Sequence, residues 1–285
     1  MSDKRINYDE SRVPAYTLPD PLVMIGGAPV ESAEIWREYR RPEILRLFEE
    51  YVYGRIPGKL DPVTFEVTSV DSSALKGAAT RKEVSVFFER GKEDPRIVLL
   101  VYLPNDRSGP VPVFEGLNFR GNITVCNDPG ISATDQWMEY ARESGHLAGK
   151  SVQELRGSSA SRWCVDKIIR RGYALATACY CDIDPDFDDG FQNGVHPLFY
   201  REGQTRPATD EWGSISAWAL GLSRIMDYLE ADADINHRKV TVMGHSRLGK
   251  TALWAAALDQ RFAAAISSCS GCGGAALSKR WFGET

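Results

Sequence analysis

Ser246 is the residue of this sequence best placed to do chemistry. It stands in Lys239-Val240-Thr241-Val242-Met243-Gly244-His245-Ser246-Arg247-Leu248-Gly249-Lys250-Thr251-Ala252-Leu253-Trp254-Ala255. Val240 and Val242 alternate in a short apolar run, Gly244 permits a tight bend, and a stretch rich in alanine and leucine follows. That order predicts a buried strand, a sharp turn and a helix. A serine on such a turn has its hydroxyl lifted above the sheet edge. The backbone N–H of the next residue, Arg247, then points from a helix start at an oxyanion, an arrangement suited to acyl transfer through a covalent serine intermediate. The spacing departs from Gly-x-Ser-x-Gly, because position 248 is leucine and the second glycine is Gly249. Glycine spacing alone therefore also suits an ordinary turn serine.

An activated serine needs a base, and the base needs an orienting acid; after a strand-turn-helix nucleophile the order is Ser, acid, His. Beyond Ser246 there is no histidine, and the later carboxylates are Asp259 and Glu284. Asp259 is expected to be solvated or to cap a turn. Upstream, His245 should project away from the serine, His146 and His237 fall in polar connections, and His196, in Gly194-Val195-His196-Pro197, is expected to hydrogen-bond its own loop.

The elements that must position Ser246 are readable as one domain, 1-285, with residues 1-58 as an N-terminal arm and helix and 59-285 as a sheet core. The arm carries Pro14, Pro19, Pro21 and Pro29 and should lie irregularly over the domain. Ser32 caps a helix bearing Trp36, Tyr39, Ile44, Leu45, Phe48 and Tyr51, kinked or restarted at Pro42 and stopped by Gly54 and Pro57. From Val63 the period becomes two, in Val63-Phe65-Val67, in Val84-Val86-Phe88 and in the apolar run from Ile97 to Leu103, which predicts an antiparallel entry into a larger sheet. Pro110 to Phe119 reads as a buried strand, and a backbone N–H near Asn118 or Phe119 is a candidate second oxyanion donor. Residues 122-159 read as a long surface insertion. Trp163, Val165, Ile168 and Ile169 suggest a helix, and Tyr173 to Tyr180 a strand. Thr209 or Asp210 should cap a helix striped by Trp212, Ile215, Ala219, Leu222, Met226 and Leu229, which returns the chain by a right-handed crossover. Phe262 to Ser268 is expected to be a further buried parallel strand.

The fold class is therefore α/β, of the α/β-hydrolase type: a central, mostly parallel sheet with helices on both faces, its C-terminal strands missing. This fold normally adds several strands after the nucleophile, and only one is readable here. The expectation is a chain truncated at its C-terminus, with a naturally disabled homologue as the alternative. By itself it should lack esterase activity and expose an unpaired sheet edge.

Composition narrows the partners. A net charge of -5 over 285 residues and a pI near 5.5 argue against nucleic acid or an anionic membrane surface. No apolar run approaches the roughly 20 residues of a membrane span, and the polar start Met1-Ser2-Asp3-Lys4-Arg5 lacks the apolar core of a secretory signal. The six cysteines are too sparse for a disulfide scaffold, so buried free thiols are expected. Cys269-Ser270-Gly271-Cys272 lacks a second pair for zinc. The acidic run Asp182 to Gly190 has its glycine out of calcium-loop register and no glutamate at the twelfth position, so a solvated, turn-capping loop is expected. Gly271-x-Gly273-x-x-Ala276 lacks the acidic residue of a dinucleotide site. No metal and no organic cofactor is implied.

Gly244-His245-Ser246-Arg247-Leu248-Gly249-Lys250 resembles the Gly-Cys-Ser-Arg-x-Gly-Lys signature of the glucuronoyl esterases, carbohydrate esterase family 15. The similarity continues through Gly116-Leu117-Asn118-Phe119, Arg171-Gly172-Tyr173-Ala174, Asn193-Gly194-Val195-His196-Pro197, Asp210-Glu211-Trp212-Gly213 and Ser270-Gly271-Cys272-Gly273-Gly274, and the bacterial branch is matched from about residue 20 onward. The resemblance implies Ser246 as nucleophile, the Arg247 guanidinium on the oxyanion, Lys250 on the sugar hydroxyls and Glu284 against the glucuronoyl ring. The implied substrate is a glucuronoxylan or lignin-carbohydrate ester, in which 4-O-methyl-glucuronic acid on xylan is linked to lignin alcohols, and the implied place is periplasmic or secreted. Two positions depart from the family. Cys269 stands where many relatives have the triad glutamate, and His245 replaces a cysteine that in relatives can form a disulfide beside the catalytic histidine. An esterase of the same fold acting on acetyl or other simple esters, and a noncatalytic carbohydrate-binding homologue, are the alternatives.

Overall fold

The computed structural model describes residues 6-57, 64-88, 95-134 and 149-283. Ser32 starts the first helical run as its composition predicts, its hydroxyl accepting the Ile35 N–H at 3.1 Å. The run continues unbroken to Tyr53, α-helical over Arg41–Phe48 and wound as π-helix over Trp36–Arg40 and Glu49–Tyr53. Pro42 fits because it begins the second α segment, and Gly54, at φ 77°, ends the run. Ahead of it the arm meets the far end of the chain. Asn7 bridges Gly283, and Tyr8 packs edge-on against Phe282 at 6.2 Å.

The described residues form one mixed seven-stranded sheet, with β1 Thr64–Asp71, β2 Ala79–Phe87, β3 Arg96–Pro104, β4 Val111–Asn118, β5 Ala174–Cys179, β6 Ile235–His245 and β7 Ala264–Ser268 in the order β1-β2-β3-β5-β4-β6-β7. The pairs β1/β2, β2/β3 and β3/β5 are antiparallel, and β5, β4, β6 and β7 run parallel. The alternating strands β1 and β2 form the antiparallel entry. The near-continuous apolar runs of β3 and β5 lie inside, Leu99 to Leu103 and Ala174 to Ala176 being fully buried.

Three crossover helices connect the parallel strands: α1 Val165–Ile169 before β5, α2 Ser214–Ala231 before β6 and α3 Arg247–Leu258 before β7. From β4 the chain moves one way to β5; from β5 it moves the other way, past β4, to β6, and then on to β7. Right-handed crossovers in opposite directions put α1 on one face and α2 and α3 on the other. Outgoing connections diverge between neighbours β4 and β6, and a crevice opens there beyond the strand carboxyl ends.

Several sequence expectations are corrected. The 122-159 segment is not merely superficial, because Asn122, Ile123, Thr124, Val125 and Ile131 are buried; its residues 135-148, including His146, lie outside the described residues. The α1 region is broken at Cys164, which takes φ 48°. α2 starts at Ser214 rather than after Asp210, whose carbonyl accepts the Arg55 N–H at 3.0 Å and whose carboxylate pairs with the Arg55 guanidinium. A stronger charged partner has taken the capping side chain. β7 is parallel as expected but not buried: it is the sheet edge, and Ile266 is 47% exposed. Two of the cysteines, Cys179 and Cys181, are disulfide-bonded rather than free.

Charge is also buried under β2. Arg81 reaches the Asp128 carboxylate at 2.7 Å, and the Tyr102 hydroxyl donates to the same oxygen at 2.7 Å. Asp128→Ala leaves the enclosed guanidinium with only Asp71, at 3.5 Å, as counter-charge and removes the acceptor of the Tyr102 hydroxyl. It is expected to cost about 3-5 kcal/mol in urea unfolding, against under ~1 kcal/mol for an exposed pair. A loss at the lower figure would show that Asp71 or water satisfies Arg81 in its place.

Candidate active site

β6 delivers Ser246 to the carboxyl end of the parallel strands, where α3 begins. Ser246 has φ 56° and ψ -129°, a region normally left to glycine. Three hydrogen bonds enforce it. The Ser246 N–H donates to Ser268 O at 2.8 Å at the end of β7, and the Ser246 carbonyl accepts from Gly249 N at 2.8 Å and Lys250 N at 3.2 Å. The turn is so tight that a Cβ on Gly244 would lie 1.9 Å from the Leu248 carbonyl oxygen. Gly249 packs against the β7 end, where an added Cβ would stand 3.1 Å from Ser268 O. The offset second glycine thus satisfies helix-to-strand packing, and the sequence keeps the sharp strand-to-helix turn, the elbow that carries Ser246, despite its altered spacing.

The side chains around the bend fall into two groups. On one side Ser246 is half-buried, Arg247 is exposed, and the Arg247 guanidinium pairs with the Asp186 carboxylate. Lys250, one turn along α3, is half-buried with its stem beside Gly273. On the other side Gly244 and His245 line a cavity of about 600 Å³ in the crevice between β4 and β6, together with Asn118, Phe119, Arg120 and Trp163. His245 turns to β7, its Nδ1 3.3 Å from Ser268 Oγ. Glu284 lies outside the described residues.

At the end of β4 the Asn118 amide donates to Asn122 Oδ1 at 2.8 Å and to Thr177 Oγ1 at 3.2 Å. This fixes the strand end from which Phe119 follows. Asp259 accepts from Arg261 at 2.9 Å and 2.6 Å, the turn-capping role its position predicts. Among the described residues no hydrogen bond joins the Ser246 hydroxyl to a histidine. His196 is fully buried, its Nδ1 hydrogen-bonded to Asp184 at 3.0 Å, between the rings of Phe191 and Trp212.

Sequence reasoning missed the loop after β5. Asp182 and Asp184 were expected in solvent, and both are 2% exposed. Burial pushes the Asp182 carboxyl up to about 7, opposed by the Val98 N–H at 2.9 Å and by the Arg96 charge. Asp186 is the residue that reaches the elbow. The available signal was position, since the acidic run leaves the carboxyl end of a central strand, where α/β sheets place their functional loops.

Known proteins share this arrangement. A family model described as glucuronyl esterase of fungi matches residues 200–281, the span from before α2 to beyond β7. The glucuronoyl esterase from Solibacter usitatus superposes with a TM-score of 0.88 at 47% identity, over 95% of this chain and 68% of that one. A promiscuous CE15 esterase from a marine bacterial metagenome gives a TM-score of 0.86 at 50% identity, over 98% of this chain and 70% of that one. Carbohydrate esterase MZ0003, from an unknown prokaryotic organism, is 50% identical over 279 residues, which is 98% of this chain but 64% of that protein's length. With half of its residues shared across nearly its whole length and the same overall fold, the chain belongs to the glucuronoyl esterases, carbohydrate esterase family 15.

Proposed function

We propose that this chain carries the nucleophile of a serine esterase that cleaves 4-O-methyl-glucuronoyl esters linking xylan to lignin alcohols. The observation that supports it most is the backbone of Ser246. A non-glycine residue kept at φ 56° and ψ -129° stores strain, and such positions cluster where a side chain must be presented. In the reaction, Ser246 Oγ forms a bond to the glucuronoyl carbonyl carbon as its proton passes to a general base. The Arg247 guanidinium and the first N–H groups of α3 face the charge that develops on the carbonyl oxygen. The tetrahedral intermediate then collapses, the bond to the alcohol oxygen breaks, and the alcohol leaves with the proton. Water repeats the sequence on the acyl-enzyme and releases the uronic acid. Lys250 and Glu284 are assigned to the sugar hydroxyls and ring.

Benzyl glucuronate and 4-nitrophenyl acetate, offered separately to the full-length gene product, test the acyl group. A kcat/KM ratio favouring the glucuronate is expected. Preference for the acetate would move the assignment to simple esters, and sugar binding without any turnover would make the chain a binding homologue.

A further inference from the structure

The Arg247 guanidinium ends a long side chain that is 48% exposed, so on its own it would sample many rotamers. It is held instead by Asp186, sixty-one residues earlier, at the tip of the loop after β5. Asp186 is itself fixed, because the Tyr180 hydroxyl donates to its Oδ2 at 3.0 Å. Tyr180 is 2% exposed and packs between Phe119, 5.4 Å away edge-on, and Trp218 of α2 at 5.1 Å. The Trp218 indole N–H donates to the Asp184 carbonyl at 2.9 Å, and the Asp184 side chain holds the buried His196. A Cβ on Gly194 would stand 2.4 Å from Asp184 Oδ1, so the returning limb of the loop closes on the same carboxylate. The loop is thereby anchored to the core at both limbs.

We propose that Asp186 is a positioning residue for the ester cleavage: its carboxylate orients the Arg247 guanidinium beside Ser246, and Tyr180 fixes Asp186. The inference rests on the reading of Ser246 as nucleophile and Arg247 as oxyanion group. A guanidinium has five N–H donors in a planar fork, and the bond to Asp186 occupies one of them. Orienting the cation before the reaction removes reorganisation from the catalytic step, and the benefit should appear in kcat rather than in substrate affinity. Because Tyr180 also packs against Phe119, the same anchor orders the β4 end, where a second oxyanion donor is expected.

The test, made in the full-length gene product, compares Asp186→Asn, Asp186→Glu, Arg247→Ala, Asp186→Asn with Arg247→Ala, and Ser246→Ala on benzyl glucuronate, with active sites counted by a fluorophosphonate label. Asp186→Asn is expected to lower kcat per labelled site by about 10- to 100-fold with KM changed by less than about threefold. Asp186→Glu should recover part of the loss. In the Arg247→Ala background Asp186→Asn should cost no further activity, because the two act through one contact. Losses that multiply in the double variant, or an Asp186→Asn enzyme with unchanged kcat per site, would overturn the role of Asp186 while leaving the nucleophile intact. Full turnover by Ser246→Ala would instead remove the reading beneath it.

Discussion

Ser246→Ala is expected to lower kcat/KM for glucuronate esters by about 10⁴-fold or more, because without Oγ no acyl-enzyme forms and only binding and oxyanion contacts remain. Its partner variant separates chemistry from folding. Ser246→Gly should be equally inactive yet more stable than the parent by about 1-2 kcal/mol. The backbone at φ 56° and ψ -129° costs a residue with a Cβ roughly 1-3 kcal/mol, of which glycine's larger unfolded-state entropy takes back about 0.5-1 kcal/mol. Activity falling as stability rises is the signature of a strained nucleophile. A glycine variant less stable than the parent in urea would show that the serine side chain contributes packing, and turnover by the alanine variant would exclude Ser246.

The second large effect is expected at Glu115, in the middle of β4 and far from any reacting atom. Its side chain is fully buried, and neither carboxyl oxygen has a hydrogen-bond partner. Burial first, then the negative charge of Asp259, raises its pKa well above the ordinary carboxylate range; Arg261 opposes the shift and Asp227 adds to it. The folded state therefore keeps this proton at pH values where the unfolded chain, with a glutamate pKa near ~4.3, has released it. Stability from this group is full below about pH 4 and declines as pH rises toward the folded-state pKa. Asp182, raised to about 7, adds a decline in the same direction across the span from about pH 4 to about pH 7. Glu115→Met, of similar length and able to fill the site, should gain about 1-3 kcal/mol at pH 8 and flatten the urea midpoint between pH 5 and pH 8. Equal midpoints for parent and variant at pH 8 would mean that a water or a partner satisfies the carboxyl.

The contrast between these two residues shows what the sequence made legible. The elbow is local: an alternating strand, a glycine that must lack a Cβ and a helix-forming run lie within seventeen consecutive residues. Ser32 and the stripe of α2 are equally local, and their roles follow from nearest-neighbour geometry. Glu115 looks, in sequence, like any carboxylate between apolar residues, and its burial depends on two helices that return more than a hundred residues later. Asp182, Asp184 and Asp186 read as a solvated run for the same reason. Their partners are Val98, His196 and Arg247, and no spacing rule links those positions. β7 failed in the opposite sense, since its apolar pattern is that of an interior strand while in the described structure it stands at the border.

The divergence of connections between β4 and β6 divides this protein into a variable end and a constant end. The segments that follow Asn118, Cys179 and His245 all depart from the side where Ser246 stands. Those at 72-78, 105-110 and 232-234 depart from the opposite side, where Lys82 clamps Asp232 and Asp234 at 2.8 Å and 2.9 Å. Grafting a foreign loop into the first group changes which molecules can approach the serine, whereas the same graft in the second group alters yield and melting behaviour and leaves selectivity as it was.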